Sequence, residues 1–293
     1  MRTGLILAVL VGTLTLCTVC FAQVEVDARK VADTYKDAVV TVDLVIEMSM
    51  TYEGQTDKRE LKHSTTATII DPEGLAVASL TQVSPDSSRD ESADSGSRYD
   101  LKDVKIRTAD GTEIPADVVL RDRDLDLAFI RPKVKPAQPL AYLDLKNASS
   151  PQILDQVVIL SRLGQLANRA TSARLERVES VVTKPRTFYV VNGTFHQELG
   201  VPVFTLDSKC VGLLVVRMNT SGRDSGSSSG QAYLSVLPCS TLANAAEQAK
   251  TAKPEVKPEP KPEAKPAAKP ATKPAAKPAK PAAKAPAAPK KAP

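Results

Sequence analysis

The chain has 293 residues, with 39 Lys and Arg against 34 Asp and Glu, and a formal net charge of +5. The 43 residues from 251 to 293 hold 11 Lys and three Glu, a net charge of +8, and subtracting this from the whole leaves −3 for residues 1–250. The charge therefore gives no support to a nucleic-acid-binding surface on the part of the chain that can fold, and no sequence-specific nucleic-acid partner is expected.

The first 22 residues have the pattern of a signal peptide. Arg2 precedes an apolar run over residues 5–16, and small residues at Cys20 and Ala22 mark a cleavage site after Ala22. The run is shorter than the roughly 20 residues that a membrane span needs, and a retained N-terminal anchor is the alternative. We expect an exported protein, located in the periplasm, the cell envelope or the extracellular space.

Residues 23–250 have the size and pattern of one all-β domain. Runs rich in Val, Ile, Leu and Thr, separated by turn residues, predict about twelve strands, which fit two six-stranded antiparallel β-barrels. A closing helix is predicted over residues 241–250, capped by Ser240 or Thr241. The predicted strands span residues 39–48, 66–71, 75–80, 104–108, 118–120, 127–130, 156–160, 177–182, 188–191, 201–206, 210–217 and 232–237.

Three polar segments are expected to lie outside this framework. Residues 84–99 and 221–230 are rich in Ser with Asp or Gly, and predict long loops. From residue 251, Lys-Pro recurs every four residues, which removes backbone donors and predicts an extended, disordered low-complexity tail. Its charge favours attraction to anionic envelope polymers, and a simple spacer is the other interpretation.

Residues 195–217 carry the most informative pattern. Gly200 is followed by the apolar segment 202–204, a turn at 207–209 and a hydrophobic-Gly-hydrophobic segment at 211–213. This order resembles the nucleophile strand of the trypsin-like serine proteases, particularly the HtrA type, in which Gly-Asn-Ser-Gly-Gly precedes the strand. The resemblance implies a pair of β-barrels and, in active members, serine endopeptidase activity without a cofactor.

The resemblance extends over about residues 31–240. Its other landmarks follow in the family's order. A helix and first strand fall at residues 31–42, the stretch that ends in the catalytic His at 69–83, and an Asp-Gly hairpin at 110–111. The segment of the triad Asp falls at 122–130 and the last strand at 232–238. Active HtrA proteases usually carry a peptide-binding PDZ domain after the barrels, and here the Lys-Pro tail takes its place.

The resemblance also assigns the catalytic positions, and two of the three triad residues are replaced. The nucleophile position holds Leu199, which has no heteroatom to attack a carbonyl, and the His position holds Thr81. The triad Asp is kept as Asp126, but an acid without an imidazole has nothing to orient. Gln197 and Val201 replace the family's glycines on either side of the nucleophile. The resemblance therefore implies a pseudoprotease in which Thr81 and Asp126 hydrogen-bond as a structural remnant.

Three function hypotheses follow. The first is a non-catalytic module that holds a peptide or protein partner in the cleft between the barrels. The second is an active HtrA-like serine endopeptidase with non-standard catalytic residues. The third is an envelope-associated structural protein dominated by its basic tail. Neither a partner's identity nor an oligomeric state can be read from the residues.

Other candidate groups are better explained as surface features. Ser225 superficially matches a Gly-Asp-Ser-Gly nucleophile, but no hydrophobic strand follows it. The two histidines, His63 and His196, are expected in exposed positions, with His196 close enough to Leu199 to serve as a base if a nucleophile stood nearby. No Cys or Glu cluster accompanies them, so no metal site is predicted.

Cys210 and Cys239 are the two cysteines that remain after cleavage of the signal peptide. The resemblance places them near the same end of adjacent antiparallel strands, and an exported location permits a disulfide. Two buried free thiols are the alternative. A disulfide across this separation would stabilise the fold by about 3–4 kcal/mol.

Overall fold

The computed structural model of the protein describes residues 23–52, 55–84, 97–192, 199–218 and 232–253. Within these residues, twelve strands form two closed, six-stranded antiparallel β-barrels, as the sequence predicts. The predicted signal peptide and most of the predicted tail lie outside the described residues. So do residues 85–96 and 221–230 of the two predicted loops.

The first barrel has the strand order β1-β2-β3-β6-β5-β4, and the second has the order β10-β11-β12-β9-β8-β7. Three helices accompany them: α1 over residues 23–35, the single turn α2 at Leu80–Val83, and α3 at Cys239–Thr251. The strands are β1 Val39–Tyr52, β2 Gln55–Ile69, β3 Ala76–Ser79, β4 Ser97–Arg107, β5 Glu113–Asp122, β6 Leu127–Pro132, β7 Gln156–Arg162, β8 Thr171–Val182, β9 Phe188–Val191, β10 Val201–Thr205, β11 Cys210–Met218 and β12 Ala232–Pro238.

The largest difference from the predicted strands is in the first hairpin. β1 and β2 pair without interruption from Val39 opposite Thr68 to Tyr52 opposite Gln55. The outer ten residues of β2 are all exposed, so they lack the apolar alternation by which a half-buried strand is recognised in a sequence. His63 consequently lies within a strand instead of before one, and it is exposed as expected.

Two other boundaries also differ because of polar residues. β4 begins at Ser97, so the end of the predicted loop 84–99 belongs to a strand that pairs with β1. β8 begins at Thr171, six residues earlier than predicted. The polar first half of β8 pairs with β7, beginning with Thr171 opposite Arg162. In both cases, pairing with an apolar neighbouring strand overrides a weak local preference.

The closing helix begins two residues before the predicted start. Pro238 ends β12 with φ −60° and stands at the N-cap, and no side chain caps α3, so the predicted cap at Ser240 or Thr241 is wrong. The helix starts directly after Pro238, so Ser240 and Thr241 already lie in its first turn and cannot stand at the N-cap. Leu242 of α3 packs with Phe129 of the first barrel and Leu213 of the second, so α3 covers both.

A partly buried arginine also joins the barrels. Arg162, at the end of β7, donates from Nε to the carbonyl of Val39 at 2.8 Å and from Nη2 to the carbonyl of Lys36 at 2.7 Å. Burial lowers the pKa of this guanidinium, because leaving water disfavours the charged form. These bonds tie the second barrel to the start of β1. None of the helices in the described ranges is both long and apolar enough to cross a bilayer.

Candidate functional site: a buried carboxylate between the barrels

The site is built where β3 and β6 lie side by side. Ser79, the last residue of β3, is opposite Leu127 in the β3–β6 pairing, so the residue before β6 comes next to the start of α2. That residue is Asp126, and its carbonyl accepts the backbone N–H of Leu80 at 3.0 Å. The one-turn helix α2 therefore begins against the carboxylate, and it presents Thr81 to it.

Three groups of the first barrel donate to the Asp126 carboxylate. The Ser79 hydroxyl donates to Oδ2 at 2.6 Å. The backbone N–H and the hydroxyl of Thr81 both donate to Oδ1, each at 2.8 Å. The predicted hydrogen bond between Thr81 and Asp126 is therefore present, and Ser79 completes a buried cluster that the sequence alone did not indicate.

The backbone and burial of Asp126 both carry a free-energy cost. Its φ of 57° lies in the left-handed region, which aspartate tolerates better than most residues. Burial raises the pKa of the carboxyl, while the hydrogen bonds from Ser79 and Thr81 act in the opposite direction. The backbone N–H of Val216 in β11, a strand of the second barrel, also favours the charged form.

Leu199 lies at the predicted nucleophile position and is only 3% exposed. Its side chain belongs to a buried cluster whose other members all come from the second barrel, including Val201, Val203 and Leu214. The side chain is thus part of the core of that barrel. Neither an attacking atom nor a proton for a base to take is present at this position.

The residue after Leu199 explains how closely the barrels meet here. Gly200 has φ of 77°, and a Cβ at this position would lie 2.7 Å from the backbone nitrogen of Ser79. Its carbonyl accepts a hydrogen bond from the buried Thr68 hydroxyl at 3.0 Å. The turn that carries Leu199 therefore sits directly on β3, where only glycine fits.

One edge of β11 faces this junction. β10 pairs with β11 only as far as Leu214, whereas β12 continues alongside to Met218. Among the residues that the structure describes, no strand covers the other edge of residues 215–218. This edge and Val216 were not identified from the sequence, because a uniformly apolar strand gives no sign of where its pairing stops.

The remaining predicted residues are distributed differently. Cys210 and Cys239 form a disulfide, with Cα atoms 6.7 Å apart. Cys239 is the first residue of α3 and not part of a strand, which corrects the predicted placement. His196, Gln197 and Ser225 lie outside the described residues, and Val201 is a buried residue that begins β10.

The described part of the chain contains no group of three or more His, Cys, Asp or Glu side chains that could hold a metal ion. What the site offers chemically is a satisfied carboxylate, two hydroxyls that already donate to it, and an open strand edge. Among the residues that the structure describes, no imidazole neighbours the hydroxyls of Ser79 and Thr81, because His63 lies on the exposed part of β2.

Comparison with known proteins gives a family and a fold. The sequence model of the trypsin-like peptidase domain matches residues 65–213, just over half of the chain. A similar solved structure is the protease domain of MamO from Magnetospirillum magneticum in its apo form, which is 14% identical with a TM-score of 0.46. That alignment covers 72% of this chain and 97% of the other. A search of curated proteins found no match.

Proposed function

The chain belongs to the trypsin-like peptidase domain family, and we propose that it is a pseudoprotease that binds an extended segment of a partner protein between its barrels. The observation that carries this proposal is the burial of Leu199 in the core of the second barrel. A leucine cannot form an acyl-enzyme, and one packed in this way leaves no side chain at the nucleophile position to be activated.

The arrangement of the carboxylate supports the loss of proton transfer. A catalytic aspartate orients an imidazole, but Asp126 accepts hydrogen bonds from Ser79 and Thr81 in its place. Both donors are ordinary hydroxyls, and within the described ranges no base is positioned to accept their protons. The cluster therefore holds β3, α2 and β6 together, and its role is structural.

Binding is supported by the open edge of β11. An extended peptide that adds to a sheet edge gains main-chain hydrogen bonds without depending strongly on its sequence. The carbonyl of Leu214 accepts from Gly200, so alternation along the strand directs the carbonyl of Val216 to the same edge. Thr81 lies beside this edge because it shares the Asp126 carboxylate with Val216.

The experiment uses reduced, unfolded casein as the probe and immobilised protein as the bait. We expect casein to be retained intact, and we expect Thr81→Trp to reduce retention at least about tenfold by placing a large side chain beside β11. Thr81→Ser is the matched control, because it keeps the hydroxyl and adds no bulk, and it should retain casein as the natural protein does. Circular dichroism checks that both variants are folded.

Equal retention by Thr81→Trp and the natural protein would reject the cleft as the binding site. Cleavage of the retained casein would reject the non-catalytic part of the proposal. Retention and cleavage are measured separately in the same experiment, so a loss of binding can be distinguished from hydrolytic activity.

We also propose that the protein is exported and that residues 251–293 provide an electrostatic tether to anionic envelope polymers. The net charge of +8 of this segment supports the tether, since multivalent cations bind anionic surfaces in a salt-dependent manner. A chain that ends at residue 250 should lose salt-sensitive binding to envelope fractions. Unchanged binding would reject the tether and leave the spacer interpretation.

A further inference from the structure

A groove on the first barrel, distinct from the site around Asp126, has a volume of about 540 Å³. This volume lies within the range of roughly 300–1,000 Å³ that small-ligand sites occupy. The end of β2, the β4–β5 turn, the short 3-10 helix Lys36–Ala38 and the segment 136–141 form its walls. None of its lining residues belongs to the cluster of Asp126, Ser79 and Thr81.

The floor of the groove is apolar. Ile69 is buried in the barrel core, and Ile114 and Leu140 pack partly buried against the same core cluster. Backbone hydrogen bonds fix the two sides, since Leu140 donates to the carbonyl of Pro72 at 3.1 Å and Leu143 to the carbonyl of Ile69 at 2.8 Å. An apolar group placed here would be covered on several sides without requiring the walls to move.

One wall is a turn held by its own side chains. The Asp110 carboxylate accepts hydrogen bonds from the hydroxyl of Thr108, and from the backbone N–H and hydroxyl of Thr112. These bonds lower the pKa of Asp110 and keep it charged. Gly111 takes φ of 89°, which closes the turn at its tip. The position of this carboxylate is therefore set before any ligand arrives.

The charged side chains that line the groove are all negative. Its lining contains two carboxylates, Asp37 and Asp110, and no lysine or arginine. The cations nearby are already neutralised, because Arg107 pairs with Asp43 and Glu113, and Lys135 pairs with Glu73. Asp37 attracts the partly buried Arg162 but forms no ion pair with it, and within the described ranges neither groove carboxylate has an ion-pair partner.

We propose that this groove binds a basic, extended peptide segment of a partner protein, with a lysine or arginine beside Asp37 or Asp110 and an apolar residue on Ile114 and Leu140. Charge complementarity selects the cation, and the apolar floor selects a side chain next to it in sequence. The site is independent of the cleft at β11, so it does not rest on the proposed function.

The test measures binding of a fluorescein-labelled peptide, Ala-Lys-Leu-Pro-Lys-Ala, to the full chain by fluorescence polarisation at low ionic strength. We expect saturable binding that weakens as salt is added, and no binding of the peptide with Glu in place of Lys. The double variant Asp37→Asn and Asp110→Asn should bind about tenfold more weakly, as expected for two exposed ion pairs. Asparagine preserves the acceptor oxygen that the β4–β5 turn needs.

The matched control is Asp207→Asn. Asp207 holds the β10–β11 turn by accepting the hydroxyl of Thr205, as Asp110 does in its own turn, but it lies outside the groove. This control should bind the peptide within about twofold of the natural protein. Equal binding by the double variant and the natural chain would overturn the proposal, as would equal weakening by Asp207→Asn or retention of the Glu peptide.

Leu140→Ala separates the apolar contribution from the charge contribution. Removing this part of the floor should weaken the Lys peptide while leaving the salt dependence of binding unchanged. If Leu140→Ala has no effect, the apolar half of the proposal is wrong, because the groove would then attract cations without recognising the neighbouring side chain.

Discussion

Leu199 and Leu166 are two leucines of the second barrel in opposite environments. Leu199 is buried among valines and leucines of the core, whereas Leu166, in the loop between β7 and β8, is fully exposed. A buried leucine contributes through the apolar surface it removes from water and through the contacts of its methyl groups. Replacing Leu199 with serine would therefore remove apolar contacts from the core of the second barrel.

We expect Leu199→Ser to lower the free energy of unfolding by about 3 kcal/mol, as for other large-to-small changes in a core, and to gain no hydrolytic activity. Leu166→Ser is the control and should change stability by less than about 0.5 kcal/mol. Urea denaturation followed by circular dichroism measures both. Equal stability of Leu199→Ser and the natural protein would show that Leu199 is not part of the core.

Asp126 gives the second prediction at this scale. Its pKa is raised in the folded state, so the folded protein takes up a proton at a higher pH than the unfolded chain does. The contribution of Asp126 to stability should therefore increase as the pH falls through its raised pKa, and should level off below the unfolded value of 3.8.

The comparison is between the natural protein and Asp126→Asn, which cannot titrate. Asp126→Asn should lower the free energy of unfolding by about 1–3 kcal/mol at neutral pH, since a buried hydroxyl loses its acceptor. The stability of the natural protein relative to the variant should rise between about pH 7 and about pH 4. A relative stability that falls over this interval would mean that the carboxylate has a lowered pKa.

At the scale of elements, the junction of β3 and β10 depends on the turn at Gly200. This glycine combines a left-handed backbone with close contact to Ser79, whereas Gly111 in the β4–β5 turn has a similar φ and no atoms within 4 Å of an added Cβ. Comparing alanine substitutions at Gly111 and Gly200 therefore separates the stability lost through backbone strain from the stability lost through a steric clash.

Gly111→Ala should cost about 1 kcal/mol of stability from backbone strain alone. Gly200→Ala should cost at least about 2 kcal/mol more, because the new methyl group meets the backbone of β3, which cannot move without disturbing the barrel. Thermal and urea unfolding of both variants measure this difference. Similar losses in the two variants would show that the barrels are not in contact at Gly200.

The elements also show what could be predicted from the sequence. β6 and β9 were predicted at or near their observed positions because burial shapes their sequences: β6 begins with a continuous apolar run buried on both faces, and β9 alternates buried and half-buried residues. The outer half of β2 was missed because neither of its faces is buried. Ser79 was missed for a different reason: its role depends on the pairing of β3 with β6, which brings together residues 47 positions apart.

The site was predicted in part. The hydrogen bond between Thr81 and Asp126 was expected because the family resemblance places them at neighbouring catalytic positions, and the structure contains it. The inward packing of Leu199 and the open edge of β11 could not be predicted, because they depend on where the side chains and strands of the whole second barrel meet. The groove between Asp37 and Asp110 joins segments about 70 residues apart, which no local pattern reveals.

At the scale of the molecule, the two barrels are joined by contacts that differ in kind. Arg162 ties β7 to the start of β1, Thr68 and Gly200 connect the barrels next to Ser79, and Leu242 of α3 packs on both cores. The disulfide between Cys210 and Cys239 fixes the start of that helix to β11. These contacts hold together a two-barrel fold in which Leu199, at the predicted nucleophile position, is packed in the core of the second barrel.

The measurement that tests this account most directly is treatment of the purified protein with a fluorophosphonate that labels activated serines, with trypsin as the positive control. The account predicts no labelled residue in this protein under conditions that label trypsin completely, because the predicted nucleophile position holds Leu199 and the described Ser79 donates a hydrogen bond to a carboxylate. Stoichiometric labelling that maps to a single serine would contradict it and would establish an active serine hydrolase with a nucleophile elsewhere in the chain.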